Sequence, residues 1–321
     1  MWGERQPTAP EDFGDIFDPS EAQEPILAKP VRNALLEWLT EIFAKEELTA
    51  LGVSERRRAI FDGPPGVGKT TLAHHLAARL GLRMLAVRPE RLIDKWVGST
   101  GRNIGALFDC VAALETADPP EPVLLFLDEF DAVGFKRREA TQGAEDERNG
   151  FVNTLLQRIE QHKGFIIAAT NFAEHIDKAL WRRFDIHITL QLPGQFEREQ
   201  ILKRYLAPLG IPKLALARFA EAFDTASPAL IRQFCENLKR QVVIGPKVGW
   251  DMRREPVIDR LVTSVQPHPE AGKPTLWSLG STAPSIKSLP WPLPMATDIP
   301  TVEIAAEPIA DNVVSLAGAR A

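Results

Sequence analysis

The sequence of 321 residues has only two cysteines, no long apolar run and no excess of positive charge. Cys110 and Cys235 lie far apart and lack metal-ligand spacing, so we expect reduced, mostly buried thiols rather than a disulfide framework or a zinc site. No apolar run approaches the roughly 20 residues that cross a bilayer. The first 30 residues are acidic and show no basic-then-apolar targeting pattern. These absences predict a cytoplasmic protein that does not associate with a membrane.

The charge balance bears on possible partners. The formal net charge is −5, and acidic and basic residues are interspersed along the chain. No segment shows the concentrated positive charge with which proteins bind phosphate backbones. The composition therefore argues against a nucleic-acid partner, while 44% hydrophobic residues suffice for a sizeable core.

Residues 63–70 read GPPGVGKT and fit the phosphate-binding pattern G-x-x-x-x-G-K-[ST]. An apolar segment precedes them and leucines at helical spacing follow, which predicts the expected strand, loop and helix. Glycines let backbone N–H groups surround phosphate oxygens, and the helix N-terminus adds its positive dipole end. Lys69 would contact the β- and γ-phosphates, and the Thr70 hydroxyl would ligate Mg²⁺. The candidate nucleotide-binding residues of this loop are Gly63, Pro64, Pro65, Gly66, Val67, Gly68, Lys69, Thr70 and Thr71.

A second motif places two acids after an apolar run, residues 123–127. Asp128 would hold Mg²⁺ directly or through water, and Glu129 would polarise the attacking water. Two surface acids that merely end a strand are the alternative, which the phosphate-binding loop makes less attractive. Asn171 follows the next apolar run and could orient the same water, although asparagine at a strand end is also ordinary turn chemistry.

Strand and helix patterns alternate up to residue 193, which predicts an α/β domain with a parallel sheet between helices. The predicted strands are residues 59–61, 84–87, 123–127, 165–169 and 186–190. Three helices then follow without strands, and from residue 245 frequent prolines predict an irregular tail that is disordered or docks a partner. The predicted organisation is an acidic leader (1–30), a nucleotide-binding domain (31–193), a helical lid (194–244) and a proline-rich tail (245–321).

These motifs together resemble those of AAA+ ATPases, nearest the classical AAA clade and the single-ring protein-remodelling ATPases of bacteria. The segments that carry the resemblance are residues 63–70, 128–131, 168–171 and 179–185. The resemblance implies a P-loop NTPase sheet of five strands in the order 5-1-4-3-2, with a small all-α lid. It also implies ATP and Mg²⁺ as cofactors and a homo-oligomer, most simply a hexameric ring.

The resemblance further implies residue roles. It makes Asn171 the sensor that positions water, and it makes Arg182 and Arg183 candidate arginine fingers toward a neighbouring subunit. The family separates its two arginines by Pro-Gly, whereas here they are adjacent. Arg183 is the better candidate because it directly precedes Phe184-Asp185. Asp15 and Ile16 match the stretch that lies beside the adenine.

Trp96, Val97 and Gly98 correspond to the family's pore loop, which grips an extended polypeptide; the alternative is a tryptophan packed in the core. The polar residues 136–148 would form a second pore loop or a disordered excursion. We therefore expect an ATPase that remodels, unfolds or disassembles a protein target, acting alone or with a partner enzyme. The alternatives are a nucleotide-switched regulator that binds a partner without threading it, and an ATPase that acts on nucleic acid.

Overall fold

A computed structural model of the chain describes residues 9–92, 99–134, 143–267 and 272–298. Its contacts divide the chain into two compact units. Unit 1 comprises Met1–Pro25 and Glu41–Gln191, and unit 2 comprises Ile26–Thr40 and Leu192–Ala321. Among the described helices, none has both the length and the apolar content that a membrane span requires.

Unit 1 contains a six-stranded sheet. Its strands are β1 (Gly14–Phe17), β2 (Arg58–Asp62), β3 (Arg83–Val87), β4 (Val123–Leu127), β5 (Ile166–Thr170) and β6 (Ile186–Thr189). The spatial order is β1-β3-β4-β5-β2-β6. The five strands from β2 to β6 are parallel and reproduce the predicted order 5-1-4-3-2, so that prediction is confirmed. The sheet differs by one additional edge strand, β1, which pairs antiparallel with β3.

Burial along the strands explains their positions. Every residue of β4 and β5 is buried, as apolar strands covered by helices on both faces must be. In β6, buried isoleucines alternate with exposed His187 and Thr189, which suits the edge position at which this strand lies. The apolar pattern of the sequence therefore identifies both the central and the edge strands.

The acidic leader predicted for residues 1–30 is corrected by the structure, because residues 14–17 form β1. Gly14 pairs with Val87, and a Cβ at position 14 would lie 1.9 Å from the carbonyl oxygen of Ala86. Phe13 is fully buried in the core of unit 1, and Ile16 packs against the same core. Apolar side chains on either side of a glycine that permits close backbone approach thus draw this segment onto the sheet edge.

The described helices fall into two groups along the sequence, one before and one after residue 191. Those before it are α1 (Pro10–Phe13), α2 (Lys29–Phe43), α3 (Lys45–Ala50), α4 (Lys69–Arg79), α5 (Pro89–Leu92), α6 (Ser99–Glu115), α7 (Gly143–Gln161) and α8 (Lys178–Trp181). Those after it are α9 (Gln195–Leu206), α10 (Lys213–Glu221), α11 (Pro228–Ile244), α12 (Arg254–Ser264), α13 (Thr275–Leu279) and α14 (Pro284–Lys287). The three lid helices predicted from the sequence correspond to α9, α10 and α11.

The prediction of an irregular tail is wrong for the described residues between 245 and 298, which belong to the core of unit 2. Val257, Ile258 and Leu261 of α12 are fully buried there. Trp277 of α13 is 5% exposed, and its ring lies edge-on to Phe223 with centroids 5.6 Å apart. Several prolines read as helix breakers instead stand where helices tolerate them, such as Pro284 at the start of α14. Residues 299–321 lie outside the described chain.

The predicted boundary at residue 31 also differs from the structure. Residues 26–40 belong to unit 2, although the sequence pattern predicts that the nucleotide-binding domain begins at residue 31 and includes most of α2. Ile26 packs against the core of unit 2, which accounts for the assignment of this segment. Unit 2 is therefore formed by two separate stretches of the chain.

Candidate active site

The phosphate-binding loop connects β2 to α4, as predicted. β5 lies between β2 and β4 in the sheet, and all three strands are parallel. Parallel strands have their carboxyl ends at one edge, and ligands of open α/β sheets bind at that edge. The loop after β2, the acids after β4 and the asparagine after β5 therefore lie on neighbouring strands.

Gly63, Gly66 and Gly68 of the loop all have positive φ, and the first and the last of them illustrate two different reasons for glycine. Gly63 has a φ of +142°, and a Cβ there would lie 2.1 Å from the carbonyl oxygen of Leu190. Gly68 has a φ of +98° and directly precedes α4, in open space. Gly63 is thus required by close packing and conformation, and Gly68 by conformation alone.

Lys69, the first residue of α4, is 7% exposed and sits inside the loop. Its Nζ donates to the carbonyl oxygens of Gly63 (2.7 Å) and Pro64 (3.1 Å) and to Oδ1 of Asn171 (2.7 Å). Burial lowers the pKa of this ammonium, while nearby Asp128, Asp131 and Asp62 oppose the shift. The structure therefore places Asn171 in direct contact with the lysine that the sequence predicts to bind phosphate.

The predicted Mg²⁺ residues also meet. Thr70 Oγ1 donates to Oδ2 of Asp128 at 3.0 Å. These hydroxyl and carboxylate oxygens, aligned at the edge of the sheet, are hard ligands of the type that Mg²⁺ prefers. The donor set thus fits a magnesium ion.

Glu129 follows Asp128 and adopts an unusual backbone conformation. Its φ of +46° makes it the one residue other than glycine with positive φ among the described residues. Its N–H donates to Oδ1 of Asp128 at 2.9 Å, and its side chain is exposed. Left-handed conformation costs such a residue roughly 1–2 kcal/mol, and strain of this kind is concentrated at functional sites. The two adjacent acids thus have different surroundings: Asp128 is hydrogen-bonded to Thr70, and the Glu129 side chain is exposed.

Asp131 is a residue of the site for which sequence reasoning proposed no role. Its Oδ1 accepts from Thr170 Oγ1 at 2.7 Å and from the N–H of Asn171 at 3.3 Å. Thr170 is 1% exposed, and its hydroxyl oxygen in turn accepts from the N–H of Phe172 at 3.0 Å. Asp131 therefore holds the strand end that carries Asn171. Its position three residues after Asp128 was the available signal.

The two candidate arginines differ in their contacts. Arg182 is exposed, and its side chain has no ion-pair partner within the described parts of the chain. Arg183 lies partly exposed with its Nε 2.5 Å from Oε1 of Glu160. Both follow α8, whose N-cap Asp177 accepts from the N–H of Ala179 at 2.8 Å. Neither contacts Lys69 or Asp128 in this single chain.

Asp15 and Ile16 are not brought to the loop. Three strands stand between β1 and β2 in the sheet, which corresponds to roughly 19 Å at the usual strand spacing. Asp15 instead pairs with Arg88, with Oδ2 and Nη2 2.5 Å apart. Phe17, which follows Asp15 and Ile16, lies against His74 of α4 with ring centroids 5.2 Å apart, and the adenine contact of Asp15 and Ile16 stays a prediction. Trp96, Val97 and Gly98, and residues 136–142 of the second predicted pore loop, lie outside the described residues, whereas residues 143–148 of that predicted loop belong to α7.

Comparisons with known proteins agree with this geometry. The family model for "ATPase family associated with various cellular activities (AAA)" matches residues 59–192. An uncharacterised AAA family ATPase, y4kL of Sinorhizobium fredii, is 37% identical over 74% of this chain and 70% of its own length. The solved AAA domain of FIGL-1 in complex with ADP has a TM-score of 0.56 at 20% identity, covering 74% of this chain and 77% of that one. That likeness shows the fold.

Two better described relatives are longer than the matched region. The ATP-dependent zinc metalloprotease FtsH of Lancefieldella parvula is 33% identical over 60% of this chain, which spans 29% of that protein. The proteasome-activating nucleotidase of Thermococcus onnurineus is 34% identical over 59% of this chain and 46% of its own length. The match to y4kL, with the family model across unit 1, identifies the protein: the chain belongs to the AAA family of ATPases and is an ATP-hydrolysing enzyme of the classical clade.

Proposed function

We propose that the chain is the subunit of a homo-oligomeric ring, most simply a hexamer, that uses Mg²⁺-dependent ATP hydrolysis to remodel a protein target. The observation that carries the proposal is the convergence of Lys69, the Thr70–Asp128 pair and Asn171 at one edge of the sheet. The names of two relatives, a metalloprotease and a proteasome activator, both refer to proteolysis and support a protein target.

In this proposal, the residues around Lys69 exchange partners when ATP binds. The ammonium now satisfies two loop carbonyls and Asn171. Phosphate oxygens would replace these groups as the acceptors of the ammonium. The exchange is favourable because hydrogen bonds between charged groups are roughly twice as strong as neutral ones. The Asn171 amide, released from Lys69, then becomes available to orient water near the γ-phosphate.

Glu129 is the proposed general base. Its exposed carboxylate projects beside Asp128 and is not committed to a structural hydrogen bond within the described residues, whereas Asp128 is held by Thr70 and by the N–H of Glu129. A positioned base typically contributes about 10²–10⁴-fold in rate. Asp128 and Thr70 would hold Mg²⁺, which supplies neutralisation of the charge on the phosphate oxygens.

Within the described residues, Lys69 is the cation that contacts the loop carbonyls and Asn171. Arg182 and Arg183 lie after β5 and α8, and neither reaches Lys69 or Asp128 in its own chain. We therefore assign one of them, preferably Arg183, to the site of an adjacent subunit. This assignment requires an oligomer rather than a monomer, and a closed ring supplies every subunit with such a neighbour.

The first experiment separates binding from hydrolysis. Lys69→Ala should lose ATP binding, because a buried positive charge on the phosphates is removed. Glu129→Gln should bind ATP like the parent while hydrolysis falls by about 10²–10⁴-fold, since the amide cannot accept the proton. Fluorescent-nucleotide titration and phosphate release measure the two quantities. Parental hydrolysis by Glu129→Gln would contradict the assignment of the base, and proteins retained by this variant with ATP would be candidate targets.

The second experiment tests remodelling. Trp96, Val97 and Gly98 remain the proposed pore loop, so Trp96→Ala should keep ATP hydrolysis and thermal stability but lose work on a target. Trp96→Tyr is the matched control, because it preserves an aromatic face. If Trp96→Ala instead lowers stability by the roughly 3–5 kcal/mol typical of a core tryptophan, the pore assignment fails.

A further inference from the structure

The last part of α11 and the turn after it expose apolar side chains. Val243 and Ile244 are 59% and 44% exposed, and Val248 and Trp250 are 55% and 44% exposed. Lys239 and Arg240 lie one turn earlier than Val243 and Ile244, so these four side chains share one helix face. We call Lys239, Arg240, Val243 and Ile244 the α11 stripe. A contiguous apolar patch with a basic border is typical of an interaction surface.

A groove adjoins this stripe. It has a volume of about 620 Å³, and its lining includes Arg240 and Ile244 of α11 together with Trp250 and Arg260. The guanidinium of Arg260 lies 5.2 Å from the centroid of the Trp250 ring. Asp259 also lines the groove, but its carboxylate accepts from the N–H and the hydroxyl of Ser281. Arg240 pairs with Glu236 at 3.7 Å. The lining thus offers two arginines, an acid that is already hydrogen-bonded and an aromatic ring, which suits an occupant with apolar and acidic groups.

The described chain ends beside the stripe. The N–H of Ala296 donates to the carbonyl oxygen of Pro208 at 2.9 Å. The ammonium of Lys239 donates to the carbonyl oxygen of the preceding residue, Ala207, at 3.2 Å. Residue 296 and the first residue of the stripe thus contact consecutive carbonyl groups of the same loop. Residue 299 therefore continues a segment that ends close in space to the side chain of Lys239.

The sequence of residues 299–316 matches this surface in its apolar side chains and in its acidic charge. Its apolar residues include Val302, Ile304, Ile309, Val313, Val314 and Leu316. Its only charged residues are Glu303, Glu307 and Asp311, and all three are acidic. The five helical rises from Lys239 to Ile244 cover roughly 8 Å, which three or four extended residues would span.

We propose that residues 299–316 dock in cis on the α11 stripe and its groove. Their apolar side chains cover Val243 and Ile244, and their carboxylates face Lys239, Arg240 and Arg260. Tethering gives a segment an effective concentration in the millimolar range, so even a shallow surface can hold it. The proposal does not depend on the proposed function, because none of these residues belongs to the candidate active site.

Hydrogen exchange on the full chain tests the docking. Amides of residues 302–316 should exchange at least roughly tenfold more slowly than a free peptide of the same sequence. The double variant Val243→Asp/Ile244→Asp should lose this protection. Leu214→Asp is the matched control, because Leu214 is 69% exposed on α10 and is not part of the stripe; it should keep the protection. Free-peptide exchange in the parent would overturn the proposal.

A charge exchange and a crosslink complete the test. Lys239→Glu/Arg240→Glu should weaken protection, and adding Glu303→Lys/Glu307→Lys should restore it. In a Cys110→Ser background, Val243→Cys and Ile304→Cys should form a disulfide, read by mass spectrometry on a mixture of isotopically light and heavy chains. Links within one chain support docking in cis. Links found only between light and heavy chains would overturn it in favour of a neighbouring copy, and the absence of both protection and links would overturn docking altogether.

Discussion

The two units use polar residues in opposite ways. In unit 1, buried Lys69 and Thr170 are satisfied by groups at the carboxyl edge of the sheet, and Glu129 carries backbone strain beside them. In unit 2, buried Ser227 caps α11 by accepting from the N–H of Leu230, while the core is apolar and aromatic. In unit 1 the buried polar residues form the candidate active site, whereas unit 2 is stabilised mainly by the packing of apolar side chains. Substitutions should therefore separate activity from stability in unit 1 and change stability alone in unit 2.

The largest effect should come from an arginine that stability does not need. Arg183→Ala removes only a partly exposed ion pair with Glu160, and such pairs are worth about 0–1 kcal/mol. An arginine supplied to a neighbouring phosphate can be worth about 10³–10⁵ in rate. We expect hydrolysis to fall by that factor while ATP binding and thermal unfolding stay near the parent, measured by phosphate release, nucleotide titration and calorimetry.

Arg182→Ala is the matched comparison for this prediction. If the large loss follows Arg182 instead, the assignment passes to that residue, which is exposed and unpaired within the described parts of the chain. Mixing the inactive arginine variant with Lys69→Ala should restore some hydrolysis, because certain interfaces then combine an intact loop with an intact arginine. The absence of rescue in exchanging subunits would count against a shared site.

In unit 2, the reverse pattern is expected for Trp277. Its ring contacts Phe223 and Phe234, with centroids 5.6 Å and 5.8 Å away, and its Nε1 donates to the carbonyl oxygen of Val265. Trp277→Ala should destabilise the chain by about 3–5 kcal/mol, as removal of a buried aromatic side chain does. Urea unfolding measures the loss.

Trp250→Ala serves as the control for Trp277, since Trp250 is 44% exposed. Its cost should be under about 1 kcal/mol, as for most surface substitutions. Equal unfolding midpoints for Trp277→Ala and Trp250→Ala would mean that residues 272–298 do not contribute to a cooperative core.

These contrasts explain what the sequence predicts well. In unit 1, phosphate chemistry prescribes residue types at set spacings, so GPPGVGKT, Asp128-Glu129 and Asn171 could be recognised, and the apolar runs defined the parallel strands. The features of unit 1 that the sequence does not predict depend on tertiary pairing. Residues 14–17, for example, form the strand β1 because they pair with β3. The role of Asp131 likewise appears only when β4 and β5 are adjacent.

Unit 2 was predicted only as far as residue 244 because no chemistry marks the rest. The helical period of Val257, Ile258, Leu261 and Val265 is present in the sequence, yet it is short and surrounded by prolines. Those prolines were read as breakers, although Pro284 stands in the first turn of α14. An isolated short helix is marginal in water, so its existence depends on the core it joins.

Acid should affect unit 1 more than unit 2. Burial lowers the pKa of His162 to about 4, and Arg57 adds to the shift. The histidine is therefore neutral when folded and protonated first when unfolded, so stability is complete above pH 6.5 and falls between pH 6.5 and 4. The loss should be on the order of 3 kcal/mol, reduced by Glu115, whose pKa burial raises.

His162→Phe tests this by keeping a ring beside Phe108, whose centroid lies 5.7 Å from that of His162. The variant should show a flatter dependence of unfolding free energy on pH in this window. No histidine occurs among the described residues of unit 2, so that unit supplies no comparable histidine term between pH 6.5 and 4; the lowered pKa of Asp251, about 2, makes that carboxyl sensitive at more acidic pH. An unchanged pH slope in His162→Phe would assign the acid sensitivity elsewhere.

The smallest effects are expected at two polar residues, Ser227 and Asp131, whose side chains each accept a hydrogen bond from a nearby backbone N–H. Ser227→Ala removes the cap of α11 and should cost about 1 kcal/mol, without changing ATP hydrolysis, because Ser227 lies in unit 2. Asp131→Ala leaves the buried Thr170 hydroxyl without its acceptor and should cost about 1–3 kcal/mol. It should also lower the hydrolysis rate, since Asp131 holds the backbone of Asn171. Calorimetry and steady-state hydrolysis on both variants decide the comparison. If Asp131→Ala loses stability but hydrolyses ATP like Ser227→Ala, the carboxylate has a structural role alone. The two substitutions would then both affect stability without affecting hydrolysis, and the expected contrast between the units would fail at this position.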